Sequence, residues 1–159
     1  MQSPWGERSA TLTGTVLVGI IGQTHSGESL IKLKLLILED DSDMRDLIQR
    51  MLGKERFDYF EAANAKEAEA CLSCEAIDLI LCDLIMPGDG GLTFVTKKNS
   101  SPAFAHIPVI MVTSEGTDAM QKSARELGVE LWLMKPFKKA QALATIEQAL
   151  TKYALGSPR

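Results

Sequence analysis

Ile77-Asp78-Leu79-Ile80-Leu81-Cys82-Asp83 is an apolar run closed by an acid, and the chain carries two close counterparts. Leu33-Lys34-Leu35-Leu36-Ile37-Leu38 is closed by Glu39 and Asp40, and Leu131-Trp132-Leu133-Met134 by Lys135, with Pro136 and Phe137 following. Runs this short, separated by segments of helical spacing, read as strands of a parallel sheet covered on both faces. In such a sheet, chemistry gathers where strands end at the carboxyl edge. That edge would bring together the carboxylates of Glu39, Asp40 and Asp83 with the ammonium of Lys135. Clustered carboxylate oxygens suit a hard cation. An aspartate among them can act as a nucleophile, and the lysine supplies a fixed positive charge to receive an anion.

The segments between these runs complete an alternating strand and helix pattern. Ser42 opens a helix with Met44, Leu47, Ile48, Met51 and Leu52 at helical spacing, and Gly53 stops it. Residues 57–62 alternate as a strand with one more exposed face. Asn64 with Glu67 forms a capping box that opens a helix to about Cys74. Pro87, Gly88, Gly90 and Gly91 make a tight loop, followed by a short helix over about 92–98 that Asn99, Ser100, Ser101 and Pro102 break. Residues 107–112 form a fourth strand ending at Thr113 and Ser114. Thr117 or Asp118 caps a helix through Met120, Ala124 and Leu127, stopped by Gly128. A last helix over about 138–153 completes five β/α units, with no internal repeat or linker.

Composition excludes several classes. A chain of 159 residues with a net charge of −4 suits one soluble α/β domain and offers no basic footprint for nucleic acid. No apolar run reaches membrane-spanning length. The three cysteines, an odd number without secretory context, point to reduced thiols in a cytoplasmic protein. Cys71 and Cys74 fall within a helix rather than at a strand-to-helix turn, so they read as buried or half-buried thiols, and Cys82 reads as core. Residues 1–32 read as an N-terminal extension, mobile or adding an edge strand. Their apolar patch at 15–21 is flanked or broken by Gly14, Gly19 and Gly22, and no clear cleavage site follows it. The stretch 22–29 nearly spells a phosphate-binding loop, but Glu28 stands where its lysine belongs and reverses the needed charge. His25 reads as a solvated loop residue.

The segments Leu36-Ile37-Leu38-Glu39-Asp40-Asp41, Leu81-Cys82-Asp83-Leu84-Ile85-Met86-Pro87, Val109-Ile110-Met111-Val112-Thr113-Ser114 and Lys135-Pro136-Phe137 together resemble the receiver domain of two-component response regulators, and particularly its stand-alone, chemotaxis-type form. The resemblance covers Leu33 to about Leu150. It implies a flavodoxin-like, doubly wound α/β fold with a five-stranded parallel sheet in the order 2-1-3-4-5 and helices on both faces. The implied division is an extension at 1–32, a receiver at 33–154 and a tail at 155–159. The resemblance further implies that Asp83 is the phosphoacceptor. Glu39, Asp40 and Asp83, with the backbone carbonyl of Ile85, would hold Mg²⁺, for which Mn²⁺ could substitute. It implies that Thr113 supplies the hydroxyl that meets the phosphoryl group and that Lys135 is the family's lysine. Trp132 falls at the switch aromatic, usually Tyr or Phe, and Ile85 and Glu115 flank the path of a hydrolytic water. Asp41 stays outside the pocket.

Taken singly, each element also reads as an ordinary turn or cap. The joint order on one sheet edge favours the functional reading, and the resemblance then implies a regulator that takes a phosphoryl group from a sensor histidine kinase or histidine phosphotransferase and is read by a downstream protein. It would be a phosphoacceptor signalling protein rather than an enzyme, without an output domain, and with no direct contact to nucleic acid or membrane. Winged-helix regulators usually carry paired acids before the fifth-strand aromatic. Leu131 stands at the second of these positions, which leaves a monomer or weak dimer. Two other readings share the chain's features. One is a receiver-like interaction module independent of phosphorylation. The other is an aspartate-nucleophile phosphatase, which wants a second aspartate where Ile85 stands. A flavodoxin would share the fold, but the acids after the first strand would repel a flavin phosphate.

Overall fold

Alternation along the buried runs builds a sheet with two cores. In the computed structural model, which describes residues 32–156, strands β1 (Leu33–Leu38), β2 (Phe57–Ala62), β3 (Leu79–Asp83), β4 (Val109–Thr113) and β5 (Leu131–Met134) form one parallel sheet in the order β2-β1-β3-β4-β5. The helices are α1 (Ser42–Leu52), α2 (Ala65–Cys74), α3 (Gly91–Ser100), α4 (Asp118–Glu126) and α5 (Lys139–Gly156). Leu35, Ile37, Leu79, Leu81, Ile110, Val112 and Leu133 pack with Ile48, Leu52, Ala142 and Ile146 of α1 and α5. Leu36, Leu38, Ile80, Cys82, Val109 and Met111 pack on the other face with Ala68, Leu72, Phe94, Val95 and Ala124 of α2, α3 and α4. Period-two strands between two helix layers are the flavodoxin-like doubly wound fold that the sequence led us to expect. The expectations for residues 1–31, including the apolar patch, the loop at 22–29 and His25, lie outside the described residues.

Local signals set the helix ends. The Asp41 side chain accepts from the backbone N–H groups of Asp43 and Met44 and so caps α1, which places this third acid outside the pocket. Asn64 and Glu67 form the reciprocal capping box at α2: Asn64 accepts from Glu67 N at 2.9 Å, and Glu67 accepts from Ala63 N at 2.8 Å. Thr117, not Asp118, caps α4. Gly53 and Gly128 follow α1 and α4 with φ near +81°, a conformation that L side chains resist.

Several boundaries differ from the sequence reading for identifiable reasons. Helix α3 runs to Ser100 instead of breaking at Asn99, because Asn99 Nδ2 donates to Leu127 O beside α4 and Ser100 Oγ to Thr96 O within the helix. Strand β4 starts at Val109; Pro108 has no N–H for the ladder, although its carbonyl accepts from Ile80 N. Helix α5 runs Lys139–Gly156, past Tyr153. Strand β2 does not expose one clean face: Tyr59 packs with the α1/α5 core, Phe60 with the α2/α3/α4 core, and Ala62 is buried. Cys71 is half-buried as expected, whereas Cys74 is exposed because it closes the last turn of α2 on its outer side.

Lys98 shows what helical spacing can hide. It lies on the core stripe of α3 with Gly91, Phe94 and Val95 and is buried. Its ammonium donates to the carbonyls of Phe104 (3.1 Å), Ala105 (3.2 Å) and Ile107 (2.9 Å), closing the α3–β4 connection over the core. Burial brings its pKa down to about 8, against an ordinary value of 10.5. Between those values the unfolded chain holds the proton that the folded chain has released, so stability contributed at this site rises with pH. We therefore expect the stability of the wild type relative to Lys98→Met, measured by urea unfolding, to grow as pH passes from about 8 toward 10.5. A flat or shrinking difference would contradict this account of the buried ammonium.

Candidate functional site

The strand ends converge as the runs predict. Alternation continues Leu35 and Ile37 into Glu39, Leu79 and Leu81 into Asp83, and Leu133 into Lys135, so these three share the α1/α5 side of the carboxyl edge. Lys135 Nζ lies 2.6 Å from Glu39 Oε2 and 3.3 Å from Asp83 Oδ2. One carboxylate oxygen from each of Glu39, Asp40 and Asp83 lies within 4.8 Å of the others. Glu39 and Asp83 are buried, whereas Asp40 is exposed at the rim. This all-oxygen donor set fits a hard divalent cation and no soft one. Its open rim leaves room for water and phosphate oxygens.

Backbone contacts fix these side chains. The Glu39 N–H donates to Ala62 O, carrying the β1–β2 ladder one residue past β1. The Lys135 N–H donates to Thr113 O at 2.9 Å, which ties the ends of β4 and β5 together. The Lys135–Pro136 peptide is cis. Ile85 N–H donates to Asp83 Oδ1 at 3.1 Å, leaving Oδ2 toward Lys135, and the Ile85 side chain is about half exposed, at 48%. Burial pushes the Glu39 carboxyl upward more than its hydrogen bonds from Lys135 and Asp41 pull it down. Burial works against the Lys135 ammonium, but its bonds to Glu39 and Asp83 outweigh this and hold it above its ordinary value.

Thr113 follows the other parity, with Val109 and Met111, and is buried. Its hydroxyl donates to Glu115 O at 2.8 Å and accepts from Glu115 N at 3.3 Å. Thus the backbone of Glu115 meets the site residue, while its side chain points to solvent and Lys135 takes Glu39 and Asp83 as partners. Trp132 is half-buried against the α2/α3/α4 core, and its ring would stand 3.7 Å from a Cβ placed on Gly116. The structure therefore gathers Glu39, Asp40, Asp83 and Lys135 directly, and brings Thr113 and Trp132 together at Gly116, in the loop that follows β4. Arg45 escaped the sequence reading because its acceptors are the backbone carbonyls of Glu39 and Asp40.

A sequence profile for the response regulator receiver domain matches residues 35–147, and this chain belongs to that family. Receivers are signalling modules of two-component systems and bind Mg²⁺ at an acidic pocket. The chain is 36% identical over 107 residues to the chemotaxis protein CheY1 of Helicobacter pylori, covering 66% of this chain and 86% of that protein. It is 30% identical over 120 residues to the regulatory protein VanR of Enterococcus faecium, covering 76% of this chain but 51% of that protein; it thus spans about half the length of that relative. Chemotaxis protein CheY4 of Vibrio cholerae superposes with a TM-score of 0.71 at 26% identity, covering 76% of this chain and all (100%) of that one. Among the described residues, no helix is long and apolar enough to cross a membrane.

Gly91 shows how closely the start of α3 approaches the strand end that carries Asp83. A Cβ there would stand 2.2 Å from Asp83 O, which no side-chain rotation relieves, while a Cβ on Gly90 would meet only Leu84 O at 3.3 Å. Gly91→Ala should destabilise by roughly 1–3 kcal/mol, and Gly90→Ala by clearly less. Chemical denaturation measures both. Equal effects would show that the contact at Asp83 O relaxes without cost.

Proposed function

We propose that this chain accepts a phosphoryl group on Asp83 from a sensor histidine kinase or histidine phosphotransferase and signals through a surface that the phosphoryl group reshapes. The observation that carries this reading is the Lys135 ammonium 3.3 Å from Asp83 Oδ2, with the carboxylates of Glu39 and Asp40 alongside. An Asp83 carboxylate oxygen attacks phosphorus, forming an O–P bond as the histidine N–P bond breaks; the imidazole leaves and takes up a proton. Glu39, Asp40, Asp83 and the Ile85 carbonyl would hold Mg²⁺, or Mn²⁺ in its place. When bound, the ion neutralises charge that builds on the phosphoryl oxygens. Lys135 holds a fixed positive charge against the same oxygens, in a site already organised before reaction.

The switch follows from how Thr113 is bonded. To donate to a phosphoryl oxygen, its hydroxyl must leave Glu115 O. That would release the loop at 114–117, whose Gly116 faces Trp132. A charge arriving at Asp83 thereby biases a two-state element whose other end is the α4–β5 surface, where a downstream protein would bind. The bulk of Trp132 and its indole N–H make a fully inward ring harder to reach and favour a role in the binding face. Ile85 covers one side of the water path with apolar surface, and Glu115 flanks the other, which points to slow loss of phosphate. The receiver boundaries at 33–154 and a cytoplasmic setting belong to the same reading.

Mass spectrometry after incubation with Mg²⁺ and a small acyl phosphate donor tests this. The wild type and Asp41→Asn should gain one hydroxylamine-sensitive phosphoryl group, and Asp83→Asn none. In the same assay Ile85→Asn should shed phosphate faster than wild type, and slower loss would contradict the water-path reading. Labelling that persists in Asp83→Asn would move the acceptor elsewhere. A wild type that takes no phosphate would leave a binding module independent of phosphorylation.

A further inference from the structure

Arg45 stands behind the acidic pair rather than in it. It lies in the first turns of α1, and its side chain is only 15% exposed. Nη1 donates to Glu39 O at 2.7 Å and reaches Asp40 O at 3.4 Å, the carbonyls of the two residues whose carboxylates line the site. On its other side Nε is buried without a hydrogen bond and faces Glu61 Oε2 of β2 at 3.6 Å, and Glu61 in turn accepts from Gln49 of α1. A planar guanidinium thus spans the point where the chain leaves β1 for α1. It is tied to the neighbouring strand by an ion pair and to its own helix through Gln49.

We propose that Arg45 is a positioning residue for divalent-cation binding: by holding the Glu39 and Asp40 carbonyls it fixes the directions of their carboxylates. This rests on the Mg²⁺-dependent reading of the site given above. The exposed Asp40 depends on it most, since among the described residues no hydrogen bond orients its carboxylate. Two effects of Arg45 on a cation oppose each other. Its own positive charge repels the ion, so charge alone predicts tighter metal binding when it is removed. Its bonds preorganise the ligands, so positioning predicts weaker binding. The sign of the change therefore separates the two roles. A plain helix-anchoring role would lower thermal stability and leave affinity as it was. Lysine carries the charge but lacks the rigid fork, and so replaces arginine only in part.

The test is Mn²⁺ affinity, read from the electron paramagnetic resonance signal of the free ion, with the full chain and no phosphoryl donor present. Arg45→Met, which keeps the stem's packing, should weaken Mn²⁺ binding by about tenfold. Arg45→Lys should recover part of that loss. Glu61→Gln, which keeps the bond to Gln49 but removes the ion pair, should weaken binding by a smaller factor and serves as the decisive variant if Arg45→Met does not fold. With Mg²⁺ raised to saturation, Arg45→Met should regain most of the wild-type phosphorylation rate. Unchanged or tighter binding in Arg45→Met, a lysine variant no better than methionine, or unchanged binding in Glu61→Gln would overturn the assignment. A wild type that binds no Mn²⁺ would overturn the functional reading along with it.

Discussion

The Lys135 ammonium between Glu39 and Asp83 is the interaction on which the site depends. Three carboxylates meet at one sheet edge, two of them buried, with oxygens inside 4.8 Å of one another. Two unit charges about 4 Å apart interact by about 4 kcal/mol at an effective dielectric near 20, so the cluster repels itself appreciably. Lys135 offsets this through contacts at 2.6 and 3.3 Å. Burial still leaves Glu39 harder to ionise than an ordinary carboxyl. A site in that condition gains from further positive charge at its open rim, where Asp40 lies. By the same arithmetic, an anion would meet net repulsion at this edge until a cation joined it.

Positional accuracy at the edge comes from backbone atoms. Ala62 O, Thr113 O and the Ile85 N–H hold Glu39, Lys135 and Asp83 in turn. Gly91 lets the start of α3 approach the Asp83 carbonyl more closely than any side chain would permit. Arg45 closes the set by holding the carbonyls of the acidic pair. Loops at the carboxyl edge of a parallel sheet are free to carry function because the strands beneath them are rigid. Thr113 closes β4, and its hydroxyl is bonded to the backbone of the loop that follows and not to the carboxylates, so a phosphoryl group at Asp83 would have to draw it from that partner.

Most of the fold was legible because its signals are local. An apolar run closed by a charge marks a strand end, and Asn64 with Glu67 marks a helix start from two residues alone. The acidic site was legible for the same reason, since Glu39, Asp40, Asp83 and Lys135 each close a run. What the sequence withheld depends on distant partners. Asn99 reads as a breaker until its bond to Leu127 O extends α3. Lys98 reads as a charged residue on an apolar stripe until three carbonyls of the following connection surround it. Strand β2 reads as one-sided until both layers cover it. Arg45 carries no pattern at all, because every residue type offers the carbonyl that it seeks.

A crystal structure of the protein with Mg²⁺ and beryllofluoride, a mimic of a phosphoryl group on a carboxylate, tests the central claim most directly. The account predicts beryllofluoride on Asp83, Mg²⁺ among Glu39, Asp40 and Asp83, Lys135 against a fluorine, and the Thr113 hydroxyl turned from Glu115 O to another. An empty Asp83 under saturating conditions, or an ion held away from the three carboxylates, would contradict it.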